Sequence, residues 1–573
     1  MICLQHIVLK LFSHNQDSYQ RSQGHAEGDD DKNVFCWTDS AIILLDNTGN
    51  LLGNNINLLL GQPDFPGMWK GLLDYLRIFL ERQSLVLSKV VYSTIEKILV
   101  EIEKSNHLKF SACTKVIWEL WEEGNPSKHQ SPEKRSSNNQ AALSAYLHCL
   151  IALQPLLAAS LTLDHLKTIL VQLQICAIES STTSYSDDTD SSTGVQAQIM
   201  EILHYLSDSI PGAISAIIIS TAFFTSLPFE RDPRGVLKGG PTFVAFSKAA
   251  MDFLGSFIFK HANEDTIYTD GSFLAALEAL SLPISLKYKW RVESKLPSTW
   301  QKATTTAIDI LGVTIPAQAG SEATIPENAD IWSCILSISN NILSANEALV
   351  EKPTSENPED QAFDIGSSQR LYSLMIPVLG SSSISDRLRR LFAKSIFENS
   401  LIHSPHPDDL PEPESREILA NLTSVHIGRT NDLRPSRRSQ MAYVCLDKLS
   451  DLVARHDGSS ERVSLAQAAA PYLILRASIV LKAYVLDQPL RGHMPTPASQ
   501  RKEILYILQK LVDLNSEPKA IPDAPGIRSD KKKHLYRIYA LATKALKVCR
   551  RDIVVHDALM KVFEVCALDF GVD

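Results

Sequence analysis

Apolar residues recur along this chain at helical spacing, most plainly between residues 66 and 104. In PGMWKGLLDYLRIFLER, Trp69, Leu72, Leu73, Leu76, Phe79 and Leu80 fall on one stripe. In QSLVLSKVVYSTIEKILVEIEK, Leu87, Val91, Ile95, Ile98, Leu99 and Ile102 form a second, with the charged residues mostly off it. The short turn between them predicts two antiparallel helices whose stripes face each other or a shared neighbour. Such a pair cannot cover its own apolar face and needs another pair stacked on it.

The same pattern returns many times. Residues 37–60 predict a helix ending near 47–49 and a second short one. Residues 110–123, with Val116, Ile117, Leu120 and Trp121 on one face, then 141–157 and 163–178, continue the series. Further helical stretches fall at 195–206, 210–227, 241–262, 271–280, 297–311, 327–349, 369–379 and 385–397. The last are 439–455, 460–486, 499–514, 531–548 and 552–570. No alternation of period two extends beyond about four residues. The pattern predicts an all-α chain, a solenoid of stacked antiparallel helix pairs of the HEAT/armadillo-like kind with disordered connectors.

Polar and proline-rich breaks set the expected organisation. Residues 1–34 read as an orphan helix followed by a disordered segment, and 35–179 as N-terminal repeats. SSTTSYSDDTDSS gives a disordered acidic linker at 180–194, in which Ser184 with Asp187 makes an acidic-kinase pattern common by chance. Central repeats span 195–402, a Pro-rich and basic connector 403–438, and C-terminal repeats 439–573. The apolar run at 210–229 is nearly long enough to cross a bilayer. Pro211 opens it, Ser and Thr dot it, and no basic flank precedes it, so it reads as a buried helix. The apolar start MICLQHIVLKLF lacks the basic region and cleavage site of a signal peptide, and any membrane contact is expected to be peripheral.

Composition narrows the function classes. The 573 residues are 44% hydrophobic and 21% charged, which is globular, and 56 basic against 65 acidic residues give a net charge of -9. No nucleic-acid partner is expected at that balance. Nine cysteines stand singly without a C-x-x-C, and read as reduced core thiols of a cytoplasmic protein.

Catalytic and cofactor signatures are missing from the sequence. GVLKGGP at 235–241 fits no phosphate-binding loop, and no H-E-x-x-H or G-x-S-x-G occurs. His403 and His406 beside Asp408 and Asp409 offer metal-ligand chemistry in a proline-rich loop, with nothing to fix the geometry, so no metal and no cofactor are expected. Two basic clusters point to anionic lipid or an acidic partner. In SDRLRRLFAKSIF, Arg387, Arg389, Arg390 and Lys394 accompany an apolar stripe. At a later helix start, Lys531, Lys532 and Lys533, with His534 and Arg537, oppose the macrodipole, a cost that something must offset.

The string LLGQPDFPGMWKGLLDYLRIFLERQSLVLSKVVYSTIEKIL, together with PLRGHMPTPASQRKEILYILQKLVDL, HLYRIYALATKAL and VVHDALMKVFEVC, resembles the C-terminal region of the Mon-two (monensin-sensitivity) family. These are large peripheral proteins of the late Golgi and endosomes, related to the Sec-seven-type Arf exchange factors. The resemblance implies a C-terminal portion of a longer protein, acting as a non-enzymatic scaffold in endosome-to-Golgi transport. Its implied partners are a Dopey-type protein, a phospholipid flippase and Arf-like GTPases. LPFERDPRG at 227–235 does not match the F-R-L-P-G-E motif of an exchange domain, so no exchange activity is expected. The competing readings are a regulator or exchange factor for Arf-like GTPases and a generic helical-repeat adaptor, for example in nuclear transport.

Overall fold

The stripes at 66–104 fold into two helices, Phe65–Glu81 and Leu85–Ser105, joined by a tight turn in which Gln83 takes a left-handed φ of 55°. All twelve stripe residues named above are buried. The structure is a computed structural model. It describes residues 30–105, 111–128, 137–158, 160–180, 192–209, 212–229, 240–287, 297–320, 329–344, 358–402, 439–456, 460–523, 529–549 and 552–569. The orphan helix and disordered segment expected at 1–34, the Pro-rich and basic connector at 403–438, the core of the 180–194 linker and the His403–His406 pair fall wholly or mainly outside those residues.

The chain divides into two compact units, Met1–Ala279 and Leu280–Asp573. In chain order, the first contains α1 (Asp30–Asn54), α2 (Ile56–Leu60), α3 (Phe65–Glu81), α4 (Leu85–Ser105), α5 (Ser111–Glu123) and α6 (Ser137–Leu157). It continues with α7 (Leu163–Glu179), α8 (Gly194–Ser209), α9 (Ile214–Ser226), α10 (Val244–His261) and α11 (Thr266–Thr269). The division between units falls within α12 (Ser272–Ser285). The second unit contains α13 (Pro297–Gly320), α14 (Ala329–Leu343), α15 (Pro358–Gly380), α16 (Asp386–Asn399) and α17 (Ser439–Val453). After these come α18 (Ser460–Asp487), α19 (Ala498–Asp513), α20 (Lys533–Val548) and α21 (Ile553–Asp569).

Each unit is a two-layer stack. In the first, α3, α5, α7 and α9 pack in succession as one layer, and α1, α4, α6, α8 and α10 as the other. In the second, α13, α15, α17, α19 and α21 form one layer and α14, α16, α18 and α20 the other. From α3 to α10 and from α13 to α21, each helix therefore meets its next-but-one neighbour along a layer, the packing of an α-solenoid. Among the described residues the sole β feature is an isolated bridge between Ala454 and Ser516. The chain is all-α.

Several boundaries differ from the sequence pattern for physical reasons. The expected stop at 47–49 does not occur, because α1 runs on to Asn54. Gly49 is there for close packing: a Cβ on it would stand 3.2 Å from Thr94 Cγ2 of α4, while Thr94 Oγ1 donates to Leu45 O. α13 runs past its expected end at 311 to Gly320 and α15 starts at Pro358, ahead of 369, each with a proline inside it, Pro316 and Pro377. Each forfeits one backbone bond near a helix end that its packing holds in place. The helices flanking the 180–194 linker, α7 and α8, pack on each other, and Gln196 holds Ser180 through its backbone carbonyl and its hydroxyl.

Among the described residues, two helices, within Asn139–Leu157 and Arg462–Leu490, are long and apolar enough to cross a membrane. Here 61% and 72% of those windows are buried inside the protein, between α4 and α8 and between α16 and α20, so they act as core helices. Within the run at 210–229, the described residues 212–229 form the short α9 and a following turn, Leu227–Phe229, and are largely buried. Cys113, Cys149, Cys176, Cys334, Cys445, Cys549 and Cys566 form no disulfide, and all but Cys334 are buried. Burial pushes the Cys176 thiol up to about 12 and Cys566 to about 11, which keeps both protonated at neutral pH.

Candidate partner-binding surface

The first basic cluster rides on α16, begun by Ser385, whose hydroxyl accepts from Leu388 N. Phe392, Ala393, Ile396 and Phe397 bury its apolar face, while Arg387, Arg390, Leu391 and Lys394 are exposed. Spacings of three and four place the three cations on one stripe. Lys394 also lies 3.8 Å from Glu398, whose carboxyl burial holds above its ordinary range.

Arg389 does not belong to that stripe. It is 4% exposed, and its guanidinium donates to Leu379 O at 2.7 Å, Ser381 O at 2.6 Å and Asp386 Oδ1 at 2.5 Å. Its role is to satisfy the end of α15 and fix the turn into α16, so the assignment of Arg389 to a lipid or partner contact is corrected.

The second cluster divides in the same way. Lys532 Nζ donates to Val512 O at 2.6 Å and Leu514 O at 2.7 Å, which closes the C-terminus of α19. Lys533 Nζ donates to Pro518 O at 2.7 Å and pairs with Asp523 at 2.8 Å. These bonds supply the compensation that a cationic helix start demands: the charges turn away from their own helix, Lys532 toward the end of α19 and Lys533 toward the loop that follows it. Lys532 and Lys533 are therefore corrected to internal roles, and Lys531 alone keeps an exposed side chain.

A groove of about 630 Å³ runs between α15 and α17, lined among others by Gln369, Tyr372, Ile376, Val444, Lys448 and Arg462. Asp451 in its wall pairs with Lys448 at 2.8 Å, and Asp447 with Lys510 at 2.8 Å. The buried Nη1 of Arg462 has no acceptor among the described residues. Beside the groove, the Tyr443 and Tyr506 rings meet at 4.4 Å, and Lys502 and Lys510 stand 5.5 and 5.4 Å from their centroids. Tyr506 Oη donates to both oxygens of Asp447, and burial together with that bond pushes its phenol well up. No sequence motif announced this ridge, because it is assembled from α17 and α19. The one available cue was the basic residues of α19, Arg501, Lys502 and Lys510, around Tyr506.

Among the described residues, no three His, Cys, Asp or Glu side chains are placed to hold a metal ion. The surface offers exposed cations, aromatic faces and a half-open groove, the chemistry of macromolecular contact.

Comparison with known proteins gives one direction. No family model and no solved structure matches this chain. It is 21% identical over 528 residues to the protein named "Protein MON2 homolog" of Schizosaccharomyces pombe. That alignment covers 89% of this chain and 31% of the yeast protein, so the chain spans about a third of the curated relative it matches. The chain is thus similar, at the distance of a remote relative, to a Mon-two protein.

Proposed function

We propose that this chain is a non-enzymatic scaffold in endosome-to-Golgi vesicle-mediated transport, peripheral on late Golgi and endosome membranes and binding its partners through helical-repeat surfaces. The observation that carries the reading is the similarity to a MON2 homolog along 89% of the chain. Two-layer helix stacking supports it, since solenoids present long surfaces built from successive helices. A Dopey-type protein, a phospholipid flippase and an Arf-like GTPase are the partner classes proposed. Arg387, Arg390, Lys394 and Lys531 are proposed as anionic contacts, with Arg389, Lys532 and Lys533 left to the fold.

Tagged protein in cells tests the location: overlap with late Golgi and endosome markers is expected, and a nuclear-envelope pattern would instead favour the transport-adaptor reading. Nucleotide release from an Arf-type GTPase tests the mechanism. Unchanged release is expected, and catalysed release would replace the scaffold with an exchange factor.

A further inference from the structure

Three of the most exposed large apolar side chains in the second unit, Met494 at 74%, Ile553 at 73% and Leu490 at 65%, lie at two inter-helix turns. Leu486 and Val554 beside them are about half exposed. One turn joins α18 to α19 and the other joins α20 to α21. Because α18 packs on α20 and α19 on α21, both turns emerge at the same edge of the stack. Arg501 of α19 bonds Asp552 before α21 at 2.9 Å, and Tyr484 of α18 lies close enough to Asp552 and Arg501 to feel both charges.

The first turn is held by its own polar groups. Gln488 Nε2 donates to Thr496 Oγ1 at 2.7 Å, Arg491 pairs with Asp487 and reaches Gln500 Oε1 at 3.1 Å, and Met494 N donates to Arg491 O at 3.0 Å. Gly492 supplies the left-handed φ of 59° that lets the chain double back. With its polar groups turned inward, the turn presents Leu490 and Met494 outward, where soluble proteins seldom concentrate apolar surface without a use.

Cations stand behind this rim. Lys482 of α18 and Lys544 and Lys547 of α20 sit in the last two turns of neighbouring helices, roughly 2–8 Å back from the helix ends at the usual helical rise. Lys482 is drawn below its ordinary pKa by burial and then by Lys544, so the two ammonium groups stand near enough to repel each other. Of the edge's acids, Asp487 and Asp552 are each committed to an arginine, and Asp557, one turn into α21, stands beside His556. A protein helix docking here would call for a continuous apolar stripe. The edge offers apolar tips on separate turns with positive charge at a greater depth, which matches the layering of a bilayer surface.

We propose that this edge docks on an anionic membrane, with Leu486, Leu490, Met494 and Ile553 entering the headgroup–acyl boundary and Lys482, Lys544 and Lys547 meeting lipid phosphates. The inference deepens the trafficking reading and rests on it only for which membrane is visited.

Flotation of the purified full chain with phosphatidylcholine vesicles, with and without phosphatidylserine, tests it. Wild-type protein is expected to float with the anionic vesicles. The Leu490→Asp/Met494→Asp variant should bind at least tenfold more weakly, and Lys544→Glu/Lys547→Glu should lose roughly fivefold per lysine. Leu58→Asp, at an equally exposed apolar site in the first unit, should change nothing. Circular dichroism checks that each variant is folded, and a Leu490→Trp variant should show blue-shifted emission only with anionic vesicles. Wild-type protein that stays out of the vesicle fraction, as expected if a protein covers this edge, would overturn the proposal. So would binding that ignores the Leu490/Met494 change, or Leu490→Trp emission that does not move. Vesicle binding without Golgi or endosome location in cells would support the edge and defeat the trafficking reading, so the two fail separately.

Discussion

The two units solve one problem with different chemistry. Every helix ends with carbonyl groups that lack an intrahelical donor, and a stacked array buries many of those ends. In the first unit neutral donors meet them: Tyr92 Oη reaches Gly124 O at 2.6 Å, Gln140 Nε2 reaches Glu179 O at 2.8 Å, and Tyr268 Oη reaches Ala262 O at 2.8 Å. In the second unit cations do the same work. Lys287 Nζ donates to Ile342 O at 2.9 Å, Arg389 to Leu379 O, Arg476 to Ser400 O at 3.0 Å, and Lys532 to Val512 O. A cation at a helix C-terminus gains from the macrodipole as well as from the bond, but a buried one must also be neutralised. Arg476, 1% exposed, meets that demand by pairing with the buried Glu503. The second unit thus depends on charge pairs that are costly to break singly, while the first relies on aromatic packing, as in the Trp121–Tyr146 stack at 4.7 Å.

Breaking the Arg476 pair should produce the largest effect. Arg476→Met leaves Glu503 buried without its partner and is expected to destabilise the second unit by about 3–5 kcal/mol in urea unfolding. Adding Glu503→Leu should recover most of that loss. A single-variant loss no larger than that of removing one neutral cap would erase the contrast between the units.

Acid should produce the next largest effect. His534 is fully buried, and its Nε2 lies 2.8 Å from Leu511 O, an atom that only accepts, so Nε2 carries the proton and Nδ1 is bare. Burial lowers its pKa to about 4. A folded-state value below the unfolded one means the unfolded chain takes up the proton first. Stability is therefore full above about pH 6.5 and lost as pH falls toward 4, by about 3 kcal/mol in all. Urea melts across that range should show the slope in the wild type, and His534→Phe should flatten it.

Removing a neutral cap should cost less. Tyr92→Phe deletes the bond to Gly124 O and is expected to cost about 1–2 kcal/mol. The smallest change separates neighbours on one helix: Arg387→Glu with Arg390→Glu should shift stability by no more than about 0.5 kcal/mol. Arg389→Glu should unfold the α15–α16 corner. Equal effects from these two would remove the distinction drawn between the surface stripe and the buried cap.

The helices were legible because apolar spacing is a local property, and all the stripe residues of α3 and α4 did become buried. Which cation caps and which faces solvent was not legible. Arg389 and Arg390 are chemically alike and adjacent, and their roles differ by one helical step and by the carbonyls that the preceding helix happens to present. The run-on of α1 past Gly49 was hidden for a similar reason, since the glycine answers to Thr94, 45 residues away. The groove ridge and the exposed edge are likewise products of stacking, which brings together residues that the sequence keeps apart.

The most direct test of the central claim is affinity capture of the whole chain from cells under mild conditions, read by mass spectrometry. A helical-repeat trafficking scaffold should return a Dopey-type protein or a phospholipid flippase above background, and return less of it when Arg387 and Arg390 carry glutamate. Enrichment of nuclear-transport factors, with no endosomal or Golgi component, would contradict it.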